Sequence, residues 1–472
     1  MIVFNNMRHI KFVGLLIACF AMSSCMEDFL TQNPSTSLGD DEVVESLADF
    51  DYIVNGVYHK MNHRYYYSGD IGVFGAIRGD GYYSTQTNNQ FSPVGRFDTP
   101  PNSHFTEGYW RKMYESIGAV NRALAKKEEV PADERGEEWE QMVGELYGLR
   151  ALIHFDLVRI YADLPSYNTS GPGVVIADEV KPNDFKPVRA TVKEVYDFIL
   201  ADFDRALDYL QVDVARNGGG MGISAAKALK ARVQLYLNND QAALQLAKEV
   251  IETTSVSLEG TASYVGAWAK DNGPGNLFAV VSNSRFNAQR NSVGYYTMPD
   301  TYEEVFPTEA EVAFIQADAN DVRKDVIVTT NLGGTEYVHL NKFAGRAGLV
   351  YENPIQVIRL AEVYLIAAEA AVKSGNQAEA IKYYNALRAN RIVDYVDVAS
   401  VSLEDVLDER RREFTGENHR YFDLMRNGLE FFVPNNGAKP VNNSVGWNLL
   451  AIPQSEMDAT NGSLEQNAYY KN

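Results

Sequence analysis

The sequence predicts a mainly α-helical fold: a scaffold of helical pairs like those of tetratricopeptide (TPR) repeats, with a mixed insertion of loops and short strands. Segments 223–253 and 354–390 each show small and apolar residues at three- and four-residue spacing on both sides of a polar turn. Between them, residues 255–351 are rich in Gly, Asn and Tyr. We therefore expect stacked helical pairs that carry one long irregular segment.

The first 24 residues resemble a bacterial lipoprotein signal. Arg8 and Lys11 give a positive start, an apolar stretch spans 12–20, and small residues lead to Cys25. We expect residues 1–24 to be removed and Cys25 to be lipidated, although an ordinary secretory signal is the alternative. No later run supplies the roughly 20 apolar residues of a membrane helix, so attachment would depend on the lipid.

The chain is acidic, with 43 basic and 63 acidic residues and a formal net charge of −20. Such a surface repels phosphate backbones and anionic headgroups, which argues against nucleic-acid binding and against electrostatic membrane attachment. Cys19 lies inside the signal, so Cys25 is the single thiol expected in the mature protein and no disulfide can form within it.

Residues 25–41 are polar and predict a tether. An amphipathic helix is predicted over 43–61, and a loop-rich stretch follows over 62–106. Further helices are predicted over 109–126, 137–160 and 191–210. We pair the last two with each other, and the helix at 43–61 with that at 109–126.

Alanines recur where the helices of the two clearest pairs would cross. The first pair turns at Asn238–Asp240 and the second at Ser374–Asn376. Alanine lets two helix backbones approach closely while tyrosines fill wider gaps, as in TPR packing. Plain antiparallel packing of helices without repeat ancestry is the alternative, and it would give the same rigid layer of helices.

The insertion, at about 255–351, contains β-prone runs at 278–281 and 326–328. Because long irregular segments on a rigid scaffold commonly carry binding residues, we expect the recognition surface there. After the second pair, one long helix is predicted over 403–426. Ser402 with Asp405 three residues later forms a weak variant of the capping box at its start.

Seven short motifs occur in order along the chain. They are Cys25 with 28–30 and Pro34; Arg78-Gly79-Asp80; Trp110 with Tyr114, Ile117, Asn121 and Leu124; Gly144-Glu145 with 149–151, 155–158 and Tyr161; 359–365; Glu409-Arg410 with Glu413-Phe414, Glu417 and 420–426; and 452–454 with Glu456, Asp458 and Gln466-Asn467. Each motif alone is weak. Together, over essentially the whole length, they resemble the SusD/RagB-like outer-membrane lipoproteins of Gram-negative bacteria.

The resemblance implies a TPR-containing domain over 42–472 that binds nutrient, usually an oligosaccharide and sometimes a peptide. It also implies no catalysis, and a SusC-like, TonB-dependent β-barrel transporter as the partner that the TPR surface contacts. Glu27 and Asp28 resemble the signal that sends such lipoproteins to the extracellular side of the outer membrane. The ligand's identity stays open.

A sugar binder needs flat aromatic rings beside amide, carboxylate and guanidinium groups that form paired hydrogen bonds. Two regions have this mixture. The candidate ligand-binding residues are Tyr65, Tyr66, Tyr67, Tyr82, Tyr83 and Asn88 in the first region, and Tyr264, Trp268, Asn283, Arg285, Asn287, Arg290, Tyr295 and Tyr296 in the second. For any single aromatic residue, core or loop packing is the alternative.

Charges inside the apolar helical runs have a different expected role. Burying a charge is costly unless it is paired. We therefore expect Arg359, Glu362, Arg420 and Asp423 to form ion pairs that hold the scaffold.

We expect neither catalysis nor a cofactor. No phosphate loop, nucleophile elbow or mature thiol nucleophile is present. A surface glycoside hydrolase stays the less favoured alternative, because sequence alone does not reveal a carboxylate pair at catalytic distance. His59 and His63 stand four apart but lack a third ligand, so no metal site is expected there. A structural calcium ion stays open because the chain holds many carboxylates.

Overall fold

The computed structural model of the protein describes residues 44–85, 91–182, 184–271, 273–437 and 439–471. The predicted signal, Cys25, the tether and Asn88 lie outside these residues. The helices are α1 Leu47–Met61, α2 Asp70–Ile77, α3 Ser92–Gly95, α4 His104–Lys126, α5 Glu137–Tyr161, α6 Val192–Tyr209, α7 Ile223–Tyr236, α8 Asp240–Thr253, α9 Tyr264–Ala267, α10 Val293–Thr297, α11 Glu309–Ile315, α12 Leu360–Lys373, α13 Gln377–Arg388, α14 Leu403–Glu413, α15 Arg420–Arg426 and α16 Gln454–Ala459. The strands are β1 Tyr82–Ser84, β2 Asn276–Val280, β3 Val305–Pro307, β4 Ile327–Leu332, β5 Thr335–Leu340, β6 Ile355–Arg359, β7 Phe431–Phe432 and β8 Pro440–Val441.

The long helices pack side by side in one continuous series. The series runs α1, α4, α5, α6, α7, α8, α12 and α13, and α14 packs on α12. The predicted fold class is therefore confirmed, as are all four predicted helical pairs. Within the described parts of the chain, no helix is long and apolar enough to cross a membrane.

Small buried residues explain the tight packing at the middle of this series. Ala225, Ala226 and Ala228 of α7 are buried, as are Ala367 and Ala368 of α12. Helices lined with alanine bring their backbones close, so more backbone and side-chain atoms reach van der Waals contact.

In the part of the chain that the structure describes, four two-stranded antiparallel sheets accompany the helices. β1 pairs with β3, and β2 pairs with β6, which leads directly into α12. The β4–β5 hairpin turns at Gly333 and Gly334, whose φ values of 59° and 90° suit glycine at a two-residue turn. Strands β2 to β5 thus lie in the predicted insertion.

Two expectations about the helices need correction. The segment 403–426 is two helices, α14 and α15, because Gly416 adopts φ +74° and the backbone cannot continue as a right-handed helix there. The predicted capping box of Ser402 and Asp405 is nevertheless present at the start of α14. The stretch 62–106, predicted as loop-rich, contains the wholly buried helix α2.

Four cations and four carboxylates are buried together where α14 meets β6, and we call them the Glu413 network. Its members are Arg323, Lys342, Arg359, Arg391, Asp321, Glu409, Glu413 and Glu417. Glu413 lies at its centre and accepts hydrogen bonds from Arg359 at 2.8 Å, Arg391 at 2.9 Å and Arg323 at 3.2 Å. Equal numbers of opposite charges offset the cost of burying them.

A second set of buried ion pairs joins the helices directly. Glu362 of α12 accepts from Arg232 of α7, and Asp423 of α15 accepts from Arg410 of α14 at 2.8 Å. Burial alone would raise the pKa of Glu362, but the guanidinium of Arg232 lowers it to about 2. Arg420, finally, donates twice to Asp80, at 2.7 Å each. The predicted structural roles of all four charged residues are confirmed.

Candidate functional site: an exposed aromatic face and a neighbouring groove

Three candidate tyrosines of the first region lie in the core, which corrects the prediction that they bind ligand. The hydroxyl groups of Tyr66 and Tyr67 donate to Oδ2 of Asp156 at 2.9 and 2.8 Å. Tyr82 bonds through its hydroxyl to Thr415 at 2.8 Å. All three are buried. A ring without an exposed face cannot stack on a sugar.

The same correction applies to three aromatic residues of the second region. Tyr264 and Trp268 are buried over the Glu413 network, and the ammonium of Lys342 lies 4.7 Å from the Trp268 ring. Tyr296 is fully buried and donates from its hydroxyl to Asp70 at 3.2 Å. These rings cover buried charges, so they belong to the scaffold.

The loop 283–290 carries four of the polar candidates. Asn283 accepts hydrogen bonds from the backbone amides of Arg285 and Phe286, and Asn287 donates to the carbonyl of Asn283 at 2.7 Å. Both asparagines therefore use their side chains to shape the loop. Arg285 and Arg290 are exposed at its surface.

Tyr295 belongs to a partly exposed group of rings that we call the tyrosine cluster: Tyr295, Tyr302 and Tyr351. The rings of Tyr295 and Tyr351 are nearly parallel, at 14°, with centroids 6.4 Å apart. Tyr302 meets Tyr295 edge to face at 5.7 Å. Two near-parallel rings with hydroxyl groups at their edges can contact the apolar faces and the hydroxyls of a sugar.

A second row of rings lies across β1, β3 and β5. The exposed ring of Tyr83, at 37% exposure, lies 6.3 Å from Phe306, which lies 6.5 Å from Tyr337. β3 follows Tyr302 closely in sequence, and Thr85 bonds to the backbone of Glu303 and Glu304. The row is thereby fixed beside the tyrosine cluster. Tyr65, the remaining candidate, is partly exposed beside His104 of α4.

A groove of about 930 Å³ opens between α1, α4 and the chain after β2, and we call it the α1 groove. Residues within 52–62, 119–126 and 280–286 supply most of its lining. Asn62 donates to the carbonyls of Val281 and Phe286 at 2.8 and 2.7 Å, which holds the outer wall against α1. Its volume lies in the range of ligand-binding pockets.

Sequence reasoning missed Tyr302, Tyr351 and the groove. The tyrosines are separated in sequence and meet only through the fold. One signal for the groove was available: Tyr52 falls outside the buried stripe of α1, formed by Phe50, Val54 and Val57. A single exposed ring is common on protein surfaces, so this signal alone does not identify the groove.

Two other sequence features have structural explanations. The guanidinium of Arg78 is buried over the ring of Phe97 at 3.7 Å, and Asp80 is held by Arg420, so the Arg-Gly-Asp triplet is part of the scaffold. Among the described residues, no three His, Cys, Asp or Glu side chains group closely enough to hold a metal ion.

The buried carboxyl group of Asp70, which contacts Tyr296, makes the stability of the protein depend on pH. Asp70 accepts hydrogen bonds from Tyr109 at 3.1 Å and Tyr296 at 3.2 Å, and burial raises its pKa to about 7, with Arg64 opposing the rise. The folded protein thus keeps this proton up to about pH 7, whereas the unfolded chain releases it near pH 4. The contribution of Asp70 to stability therefore falls as pH rises between these values.

We expect the Asp70→Asn substitution to remove this pH dependence, because asparagine is neutral and can accept from one tyrosine hydroxyl through its oxygen while it donates to the other through its amide N–H. Between pH 5 and pH 7 the variant should gain about 2 kcal/mol of unfolding free energy relative to the wild type. Urea unfolding at a series of pH values measures the difference. A difference that stays constant with pH would contradict the raised pKa.

Comparisons with known proteins bear on the family and the fold of the chain. A family model described as "SusD family" matches residues 329–470, and one described as "Starch-binding associating with outer membrane" matches residues 28–235. The SusD-like protein P38 of Formosa agariphila is 24% identical, over 90% of this chain and 92% of that protein.

Solved structures share the fold over nearly the whole chain. A putative sugar binding protein from Bacteroides vulgatus is 29% identical, with a TM-score of 0.83 over 91% of this chain and all of that one. A SusD superfamily protein from Bacteroides thetaiotaomicron is 26% identical, with a TM-score of 0.83 over 89% and 99% of the two chains. A laminarin binding SusD-like protein, 23% identical, has a TM-score of 0.74 over 90% and 100%.

Proposed function

The chain belongs to the SusD family, and from this premise we propose that it is a surface lipoprotein that captures an oligosaccharide and delivers it to a SusC-like, TonB-dependent transporter. Capture involves no catalysis. The lipid on Cys25 holds the protein on the extracellular side of the outer membrane. The family description "Starch-binding associating with outer membrane" supports the ligand class and the compartment, and the similarity to a putative sugar binding protein from Bacteroides vulgatus supports the ligand class.

The observation that carries the proposal is the tyrosine cluster. Tyr295 and Tyr351 present near-parallel, partly exposed rings on a rigid helical scaffold. Preformed stacking surfaces bind flat apolar ring faces without an ordering cost. The exposed ring of Tyr83 on β1 adds a stacking surface, and the exposed guanidinium of Arg290 on the loop 283–290 adds hydrogen-bond donors.

We expect Tyr295→Ala and Tyr351→Ala each to weaken oligosaccharide binding. A stacked ring contributes about 1 kcal/mol, so each substitution should raise Kd about fivefold. Calorimetry on the purified mature protein against a panel of oligosaccharides and peptides measures this. Tyr167→Ala, which removes another exposed tyrosine, is the control and should leave Kd unchanged.

The same panel separates the alternatives. Tight binding of peptides and none of sugars would replace the proposed ligand class with peptides. Release of new reducing ends would indicate a glycoside hydrolase. No binding at all, with uptake still lost on deletion of the gene, would indicate a purely structural role at the transporter.

A further inference from the structure

The two near-parallel rings of the tyrosine cluster come from chain segments that are far apart in sequence. Tyr295 belongs to α10, whereas Tyr351 lies in the stretch of turns just before β6. The residue directly before each tyrosine takes part in a close backbone contact between the two segments: Gly294 on one side and Val350 on the other. The distance between the rings therefore depends on how closely these two backbones approach.

Gly294 allows the two backbones to meet. It is buried within α10, and a Cβ at this position would overlap the carbonyl oxygen of Val350 and lie 2.9 Å from that of Phe343. Both neighbours are backbone atoms, so no side-chain rotation can relieve the overlap. Any residue larger than glycine would push the segment that carries Tyr351 away from α10.

A second glycine, Gly345, contacts the same residue. Its φ of +82° lies in the region that favours glycine, and a Cβ there would lie 2.6 Å from the Cα of Val350. Between these two residues the chain forms a tight turn, in which the backbones of Arg346 and Leu349 hydrogen-bond to each other. Val350 is thus in close backbone contact with two glycines from different segments.

Asn353 joins these contacts through its side-chain amide. Its Nδ2 donates to the carbonyl of Val350 at 2.6 Å, and its Oδ1 accepts from the backbone N–H of Gly345 at 2.8 Å. Asn353 is only 6% exposed, so the loss of either bond would leave a buried polar group without a partner. We call Gly294, Gly345 and Asn353 the glycine clamp.

The backbones of the two tyrosines are held as well. The hydroxyl of the buried Ser282 donates to the carbonyl of Tyr351 at 3.0 Å. The carbonyl of Tyr295 accepts from the backbone N–H of Tyr302 at 3.0 Å and from the hydroxyl of Thr301 at 2.8 Å. Both rings therefore extend from fixed backbone positions, which reduces the ordering cost of binding a sugar.

We propose that the glycine clamp positions the tyrosine cluster for ligand binding. Its three residues act through Tyr351: they fix the 6.4 Å separation of the Tyr295 and Tyr351 rings and thereby set the affinity for oligosaccharide. The inference rests on the proposed capture of oligosaccharides. It adds three positioning residues, which support the rings from the scaffold, to the rings that stack on the sugar.

Two substitutions in the glycine clamp test this role. Gly294→Ala adds a single methyl group, and alanine suits a helix better than glycine, so α10 itself is not disfavoured. The methyl group should displace Tyr351 and raise Kd about fivefold, the loss expected for one stacked ring. Asn353→Ala releases the carbonyl of Val350 without adding an atom, and it should raise Kd in the same direction. It carries the same test if Gly294→Ala does not fold.

Gly144→Ala is the matched control for crowding at a buried glycine. A Cβ at Gly144 of α5 would lie 2.8 Å from the backbone nitrogen of Leu210, within the helical scaffold. We expect this substitution to lower stability and to leave Kd unchanged, because the crowding occurs between scaffold helices and involves no residue of the glycine clamp.

Calorimetry on the purified mature protein measures Kd for the oligosaccharide panel, which includes linear α-linked and β-linked glucose chains, at a temperature at which each variant is folded. A double variant separates positioning from general destabilisation. In Tyr351→Ala the ring that the glycine clamp positions is absent, so the addition of Gly294→Ala should raise Kd no further. The same holds for the addition of Asn353→Ala.

Several outcomes would overturn the inference. If Tyr351→Ala weakens binding but Gly294→Ala and Asn353→Ala do not, the glycine clamp has no positioning role and the proposed function still stands. The inference also falls if Gly294→Ala has the same effect with and without the ring of Tyr351, or if Gly144→Ala weakens binding equally. Absence of binding by any sugar of the panel to the wild type would overturn the proposed function and this inference together.

Discussion

We expect Glu413→Gln to lower the free energy of unfolding by about 3–5 kcal/mol, because the buried network would then hold four cations against three carboxylates and Arg391 would lose its ion pair. Glu413 is fully buried and accepts hydrogen bonds from Arg323, Arg359 and Arg391. Glutamine keeps the shape of the side chain but removes its charge and directs an amide N–H toward a cation. The remaining positive charges would then repel one another in a medium of low dielectric constant.

Chemical denaturation at neutral pH measures this loss, with Glu404→Gln as the control. Glu404 lies on the same helix, α14, but is exposed, so its substitution should change stability by less than about 0.5 kcal/mol. Equal effects of the two substitutions would contradict the role of the Glu413 network.

The pH dependence provides a further check on the same variant. Burial alone would raise the pKa of Glu413, but Arg391 and Arg359 hold it well below its usual range. The stabilisation is therefore fully present above the unfolded-state pKa of about 4.3 and is lost as pH falls below it. The difference in unfolding free energy between the wild type and Glu413→Gln should therefore become smaller as the pH falls below about 4.3.

The second large effect concerns anchoring: Cys25→Ala should abolish incorporation of labelled fatty acid and remove the protein from the outer-membrane fraction. Within the described residues no helix is long and apolar enough to cross a membrane. Each buried methylene of an acyl chain contributes about 0.8 kcal/mol to membrane binding, so the loss should be nearly complete.

Cys19→Ala is the matched control, because Cys19 lies in the segment predicted to be removed. It should leave both fatty-acid labelling and membrane fractionation unchanged. Labelling that persists in Cys25→Ala would contradict the assignment of the lipid to this residue.

The helical scaffold could be predicted because the patterns that indicate its helices involve residues close together in the sequence. Alanines at helical spacing in 223–253 and 354–390 predicted the helical pairs that the structure contains. Charges within apolar runs predicted buried ion pairs, as found for Arg359 and Asp423. Their partners could not be predicted, because Glu413 and Arg359 are distant in sequence and meet only in the folded chain.

The candidate site was harder to predict, because composition does not reveal which rings are exposed. Tyr66 and Tyr295 both lie in polar, tyrosine-rich stretches, yet Tyr66 is buried over Asp156 and Tyr295 is partly exposed. The difference arises from the chain segments that pack over each ring. The α1 groove likewise requires three segments, from α1, α4 and the chain after β2, to come together.

A structure of the mature protein bound to an oligosaccharide from the panel tests the central claim most directly. We predict an intact sugar chain against the partly exposed rings of Tyr295 and Tyr351. Sugar bound on the opposite side of the scaffold, or a chain cleaved in the complex, would contradict capture at this face.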